Sequence, residues 1–206
     1  MRSPAPIRVL LADDQRLFRE ALRVLLEREP DMAVVAEATT GREAVELALE
    51  HDPDVVLLDI EMPDGDGLEA AKALQERGAR ARCLIVTTFG RPGYLQRALD
   101  GGVAGFVVKD ASKGALAQAI RRCARGERVI DPGLAAAARQ TGPSPLTPRE
   151  REVLRATTSG AAIAEIARTL YLSEGSVRNR ISTAIEKLHA RNRTDAVRIA
   201  QKNGWL

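Results

Sequence analysis

Five side chains in the first half of the chain could together handle a phosphoryl group: Asp13, Asp14, Asp59, Thr87 and Lys109. Each stands at the end of a short apolar run or just past it. Three carboxylates gathered in one cleft repel one another unless a cation lies among them, and hard oxygen ligands select Mg2+. Asp59 can attack phosphorus as a carboxylate nucleophile. Lys109 would place positive charge on the transferring group, and the Thr87 hydroxyl could bond the phosphoryl oxygens once the adduct forms.

That chemistry requires the apolar runs to be strands of one sheet. Val55–Leu58 is unbroken and apolar, which reads as a strand buried on both faces. Asp59 then stands at its carboxyl end, where open α/β sheets bind ligands. Residues 7–12, 32–36, 83–87 and 105–108 read as further strands. Between them, apolar residues at helical spacing (Leu17, Phe18, Ala21, Leu22, Leu25 and Leu26 in the first case) predict helices over about 17–26, 42–50, 67–75, 94–99 and 113–125. Thr40 and Ser112 are expected to cap the second and fifth. Alternating strands and helices predict an α/β flavodoxin-like (βα)5 domain over residues 1–125, with strand order 2-1-3-4-5. All five candidate side chains then converge on the carboxyl edge of the sheet.

Residues 126–145 hold Pro132, Gly133, Gly142, Pro143 and Pro145, and read as a linker with a short helix at 134–139. Thr147-Pro148-Arg149-Glu150 then combines an N-cap, a proline at the first helical position and a capping box. Three more helices follow, with Ser173 expected to cap the third of the four and Thr194 the fourth. In the third, Val177, Ile181, Ala184, Ile185 and Leu188 form one apolar stripe, and Arg178, Asn179, Arg180, Ser182, Thr183 and Lys187 lie on the other face. Two helices across the tight turn Tyr171-Leu172-Ser173, the second basic outside, make a helix-turn-helix pattern. Residues 146–206 are therefore expected to form an all-α four-helix helix-turn-helix domain. Arg178, Asn179 and Ser182 are candidates for base edges, and Arg180, Thr183, Lys187 and Arg191 for phosphates.

Asp13-Asp14, Asp59, Met62-Pro63, Gly67, Thr87 and Phe106-Val107-Val108-Lys109 resemble, in order and spacing, the receiver domain of two-component response regulators. The stretches 146–154, 165–167, 172–178, 187–188 and 193–196 resemble the LuxR/NarL/FixJ-type four-helix domain. The resemblance implies a transcription regulator phosphorylated on Asp59 by a sensor histidine kinase, with Mg2+ held by Asp14, Asp59, a contributing Asp13 and the backbone carbonyl of Glu61. It implies that Thr87 and Phe106 act as the switch. It further implies a homodimer formed on phosphorylation, with the last helix making a dimer contact and the helix from about Glu174 entering the major groove of promoter DNA. Such a chain catalyses its own phosphotransfer and dephosphorylation and is not an enzyme with turnover. Residues 177–188, with Gly204-Trp205-Leu206, are similar to one subgroup, which includes regulators of the desaturase, membrane-fluidity type.

Plainer readings stand beside these. Asp13-Asp14 could cap the first helix, Thr87 could be an ordinary strand residue and Phe106 plain core. A receiver used only for dimerisation would need no phosphorylation. A phosphatase with Asp59 as nucleophile would place its second acid at Glu61. Asp64-Gly65-Asp66-Gly67 lacks the spaced ligands of a Ca2+ loop and reads as turn chemistry. His51 and His189 are isolated, without ligand spacing, and read as surface or partly buried residues rather than functional ones.

Charge supports the division. Residues 1–125 hold 18 Lys/Arg against 20 Asp/Glu, whereas residues 126–206 hold 13 against 8, which points the second domain toward a polyanion. Aromatic residues are only 3% of the chain, so the core must be aliphatic. Cys83 and Cys123 are isolated and read as reduced core thiols, no run is long enough to span a membrane, and no signal-peptide h-region follows Met1. A cytoplasmic protein is expected.

Overall fold

The computed structural model describes residues 5–88, 92–109, 113–130, 135 and 143–206. The chain divides into two compact units, a larger one carrying the strands and a smaller one carrying the last four helices. Residues 7–130 alternate β1 (Ile7–Ala12), α1 (Arg16–Leu26), β2 (Met32–Ala38), α2 (Gly41–His51), β3 (Val55–Leu58), α3 (Gly67–Glu76), β4 (Arg82–Thr87), α4 (Pro92–Asp100), β5 (Gly105–Val108), α5 (Lys113–Ala124) and β6 (Val129–Ile130). The strands make one parallel sheet in the order β2-β1-β3-β4-β5-β6. Strand order reverses between β1 and β3, where a crevice opens at the carboxyl ends.

Burial explains the strand sequences. All four residues of β3 are buried, so both faces of its ladder must be apolar. One face of the sheet carries Val9, Leu11, Val55, Leu57, Leu84 and Val86, packed with Leu22 and Leu26 of α1 and Leu116 and Ile120 of α5. The alternate residues Leu10, Val56, Leu58 and Ile85 are fully buried on the opposite face, against which α2 and α3 pack. Thr40 caps α2 as expected, accepting from the Glu43 N–H, and Asp66 caps α3 through the Glu69 N–H. The expected Ser112 cap lies outside the described residues, and of the helix expected at 134–139 only Ala135 is described, as helical. Cys83 and Cys123 are free and buried; burial pushes their thiols up to about 12 and about 11, so they stay protonated at neutral pH.

Strand β6 was not expected. Val129 and Ile130 pair with Gly105 and Phe106 in β5, so the span read as a linker begins with a sixth strand. Two residues are too few to show periodicity, and the Gly126 turn before them hid the signal.

The smaller unit contains α6 (Pro148–Ala156), α7 (Ile163–Thr169), α8 (Glu174–Lys187) and α9 (Arg193–Lys202). Thr147 and Glu150 form the expected capping box, and Ser173 caps α8 through the Ser176 N–H. The cap of α9 is Asn192, which accepts from the Asp195 N–H, and not Thr194. Both residue types cap well, and the choice went to the one whose side chain reaches the third residue onward.

Helices α7, α8 and α9 all end through a left-handed residue, respectively Tyr171 (φ 54°), His189 (φ 49°) and Gly204 (φ 69°). In each case the next N–H reaches back to the helix: Leu172 to Ala167, Ala190 to Ile185 and Trp205 to Ala200. Two small cores result. Val153, Ile166, Ala167, Val177 and Ile181 join α6, α7 and α8. Leu146, Leu154, Ala184, Leu188, Ala196, Ala200 and Leu206 join α6, α8 and α9. Half-buried Ile185 packs against both cores, so the apolar stripe of α8 is the axis of the unit.

Glu150 ties that axis to α6. One of its carboxylate oxygens closes the capping box on the Thr147 N–H at 2.7 Å, and both hold the Lys187 ammonium at 2.9 and 2.8 Å. Glu150→Ala should therefore lower the unfolding free energy of the smaller unit by about 1–3 kcal/mol. Glu150→Gln, which keeps the capping geometry and loses the ion pair, should cost less; urea titration followed by circular dichroism measures both.

Candidate functional site

Strand ends bring the predicted residues together. Asp13 follows β1, Asp59 follows β3, Thr87 closes β4 and Lys109 follows β5. Main-chain bonds lock the strand ends in register: the Asp59 N–H donates to Ala12 O at 2.9 Å and the Lys109 N–H to Thr87 O at 2.7 Å. Asp13 and Asp59 are 3% and 4% exposed, Thr87 is 2% exposed, and Asp14 faces solvent. One carboxylate oxygen from each of Asp13, Asp14 and Asp59 lies within 4.8 Å of the other two. This set could hold a metal ion, and a donor set made only of carboxylate oxygens suits a hard divalent cation.

The ammonium of Lys109 joins the two buried acids. Its Nζ lies 2.7 Å from Asp13 Oδ2 and 3.0 Å from Asp59 Oδ2, with the side chain 6% exposed. The remaining Asp59 oxygen, Oδ1, accepts the Ile60 N–H at 2.8 Å. Burial, above all, pushes the Asp59 carboxyl up to about 6; Lys109 pulls against that rise, and the Asp13 charge adds to it. Asp59 is thus ionised at neutral pH but poorly solvated, and a further cation beside it would relieve that cost.

Gly67 lets the next helix come this close. A Cβ at position 67 would stand 2.0 Å from the Asp59 carbonyl oxygen, so α3 can begin against the site only with no side chain there. The Gly67 N–H donates to Ile60 O at 3.1 Å, closing the loop that carries Glu61. Glu61 itself is exposed. Phe106 is 1% exposed and sits in β5 between β4 and β6, with Ile85 and Ile130 as strand partners.

Two α1 residues, Phe18 and Arg19, also reach this site. The ring of Phe18 lies under the Lys109 Nζ, 4.3 Å from centroid to nitrogen. Arg19 donates from Nη1 to Asp13 O at 2.7 Å and pairs with Glu37 through Nε. Helical spacing marked Phe18 as apolar, but nothing in the sequence says that its ring meets a residue 91 positions onward.

In the smaller unit, α7 and α8 flank the turn through Tyr171, which is 95% exposed. On α8, Arg178, Asn179 and Ser182 face solvent, while Arg180 and Thr183 are half-buried. Arg178 pairs with Glu174 one turn earlier at 2.8 Å, both well exposed, so the contact is easily given up. Lys187 differs from the rest of its face, because its ammonium is held by Glu150. Arg191 pairs with Asp195, which Arg198 also holds; these two arginines keep the Asp195 carboxyl well below its ordinary range. Among the described residues no helix is long and apolar enough to cross a membrane.

Comparison with known proteins agrees with both halves. The model of the response regulator receiver domain matches residues 9–121, and that of the luxR family of bacterial regulatory proteins matches residues 144–200. The chain is 43% identical to the transcriptional regulatory protein DesR of Bacillus subtilis, covering 97% of this chain and 99% of that one. It is 44% identical to the transcriptional regulatory protein YvfU of the same organism, covering 97% and 100%. Among solved structures, the response regulator ChrA of a heme-sensing two-component system superimposes with a TM-score of 0.59 at 32% identity, covering 98% of this chain and 100% of that one. A receiver and a LuxR-type helix-turn-helix in one chain, with relatives that match both along nearly their whole length, place this protein in the NarL/FixJ family of two-component response regulators, as a transcription factor.

Proposed function

We propose that Asp59 is the phosphoacceptor and that its phosphorylation controls DNA binding by α8. The observation that carries this reading is the buried Asp59 carboxylate at the carboxyl edge of the sheet, with the Lys109 ammonium 3.0 Å from one oxygen. The donor would be a phosphohistidine on a sensor histidine kinase. An Asp59 carboxylate oxygen bonds to phosphorus as the phosphorus–nitrogen bond breaks, and the leaving imidazole nitrogen keeps the bonding pair. Lys109 stabilises the charge on the transferring oxygens. Thr87, at the end of the adjoining strand, is positioned to donate its hydroxyl to the new phosphoryl group, and Phe106 is the packing element that responds.

Asp13, Asp14, Asp59 and the Glu61 backbone carbonyl would hold Mg2+, which when bound neutralises the carboxylates and phosphoryl oxygens during transfer. The chain then acts on itself, in phosphotransfer and dephosphorylation, without a turnover substrate. Phosphorylation would favour a homodimer with α9 as a contact. Two α8 helices could then address half-sites about one helical turn apart in a promoter operator, and two modest contacts become one bivalent contact. Arg178, Asn179 and Ser182 are the residues assigned to base edges, with Arg180 and Thr183 on phosphates. Lys187, held by Glu150, is assigned to the scaffold instead. A cytoplasmic location follows from this role.

Wild type incubated with acetyl phosphate and Mg2+ should gain phosphoryl mass, dimerise and bind operator DNA more tightly, and Asp59→Asn should do none of these. An Asp59→Asn chain that behaves as wild type in intact-mass, light-scattering and binding assays sinks the proposal.

The raised Asp59 carboxyl sets a pH dependence. Below about 6 a proton competes for Asp59, so the calorimetric Mg2+ dissociation constant should rise about tenfold per pH unit of acidification there and flatten above it. Between 3.8 and about 6 the folded chain keeps a proton that the unfolded chain has lost. Metal-free wild type should therefore gain stability, relative to Asp59→Asn, as pH falls through that window.

On DNA, Arg178→Ala should cost about 1–3 kcal/mol and relax base preference at one position. Lys187→Ala should leave the salt dependence of binding unchanged and lower stability, as read by titrations at several salt concentrations beside a melting curve.

A further inference from the structure

We propose that Phe18 is a positioning residue for phosphoryl transfer, holding the Lys109 ammonium between Asp13 and Asp59; this rests on Asp59 being the phosphoacceptor. An ammonium has three N–H donors. One is directed at Asp59 Oδ2 at 3.0 Å, and the nitrogen also lies 2.7 Å from Asp13 Oδ2 as an ion pair. The ring of Phe18 covers the nitrogen at 4.3 Å. The negative face of an aromatic ring attracts a cation and is strongest where water is excluded, as it is around a side chain 6% exposed. The ring offers no oxygen, so it draws the ammonium without competing for its N–H donors. A water or a third carboxylate in that place would take one. With Phe18 there, the ring takes none of the donors that a phosphoryl oxygen needs.

The ring also packs against the aliphatic core beneath the sheet. Phe18 is half-buried. With Leu22, Leu25, Val86, Lys109 and Leu116 it lines a cavity of about 190 Å3 between α1 and α5. The apolar wall of that cavity guides the Lys109 stem, and the ring closes its charged end. Arg19, the next residue, bonds the Asp13 carbonyl. One turn of α1 therefore grips both the acid and the base of the site, although α1 contributes none of the reacting groups.

The test compares Phe18→Leu, which keeps apolar bulk and loses the ring, with Phe18→Trp, which keeps a ring and has the cavity to accommodate it. Both are made in the full chain. Phosphorylation by acetyl phosphate with Mg2+ is followed by intact mass, and the Lys109 side-chain protons by NMR, where a ring at this distance shifts them upfield. Phe18→Leu should phosphorylate about threefold to tenfold more slowly and lose the upfield shift, whereas Phe18→Trp should keep both the rate and the shift. The proposal is overturned if Phe18→Leu, folded by its amide spectrum, matches the wild-type rate within about twofold, or if Phe18→Trp is slowed as much as Phe18→Leu. A wild-type chain that takes up no phosphoryl group brings down the Asp59 reading and this one together. A wild-type chain that is phosphorylated beside an equally fast Phe18→Leu brings down this one alone.

Discussion

The larger unit depends on one charge balance. Two carboxylates that are almost fully buried share a single ammonium at 2.7 and 3.0 Å. Burying any of the three without the others would cost several kcal/mol, so their positions must be fixed before the ions are safe inside. The sheet does this. β1, β3 and β5 deliver Asp13, Asp59 and Lys109 to one edge, and the parallel register between the strands sets their spacing. The aliphatic core under the sheet holds that register, and α1 closes the site from the side. Even so the balance is incomplete, since the Asp59 carboxyl remains raised to about 6. Burial, more than the neighbouring Asp13 charge, keeps it there against the pull of Lys109.

The smaller unit solves a different problem with the same economy. Its described residues hold four helices and few aromatic side chains, so neither of the two cores they form is large. Local devices do much of the work: a capping box, side-chain caps on α8 and α9, and left-handed exits from three helices. The Glu150–Lys187 pair adds a charged tie between helices far apart in sequence. These devices hold α8 with its basic face outward, which is what reading a groove requires.

Much of this was legible in the sequence because the signals are local. Apolar runs of four to six residues gave β1, β3, β4 and β5, and Thr40, Thr147 and Ser173 gave helix starts. The gathering of Asp13, Asp14, Asp59, Thr87 and Lys109 followed from parallel topology, since it needs only the strand order. Interactions between side chains distant in sequence were not legible. Lys187 stands on a basic helical face, and nothing local in the sequence shows that Glu150, 37 residues earlier, holds its ammonium. Phe18 looked like ordinary core, yet its ring lies under Lys109. β6 is too short to carry a period, and Asn192 and Thr194 are equally good caps by type, so geometry alone separates them.

Position 67 contributes to the site by what it leaves out. A methyl group there would overlap the Asp59 carbonyl oxygen at 2.0 Å. The loop that returns from Asp59 is closed by the Gly67 N–H on Ile60. The peptide of Asp59 and the first turn of α3 are consequently one rigid body with no slack between them. Substitution at position 67 is then not a matter of charge, polarity or hydrogen bonding: nineteen chemically different side chains fail for one reason, because they all begin with the same carbon atom.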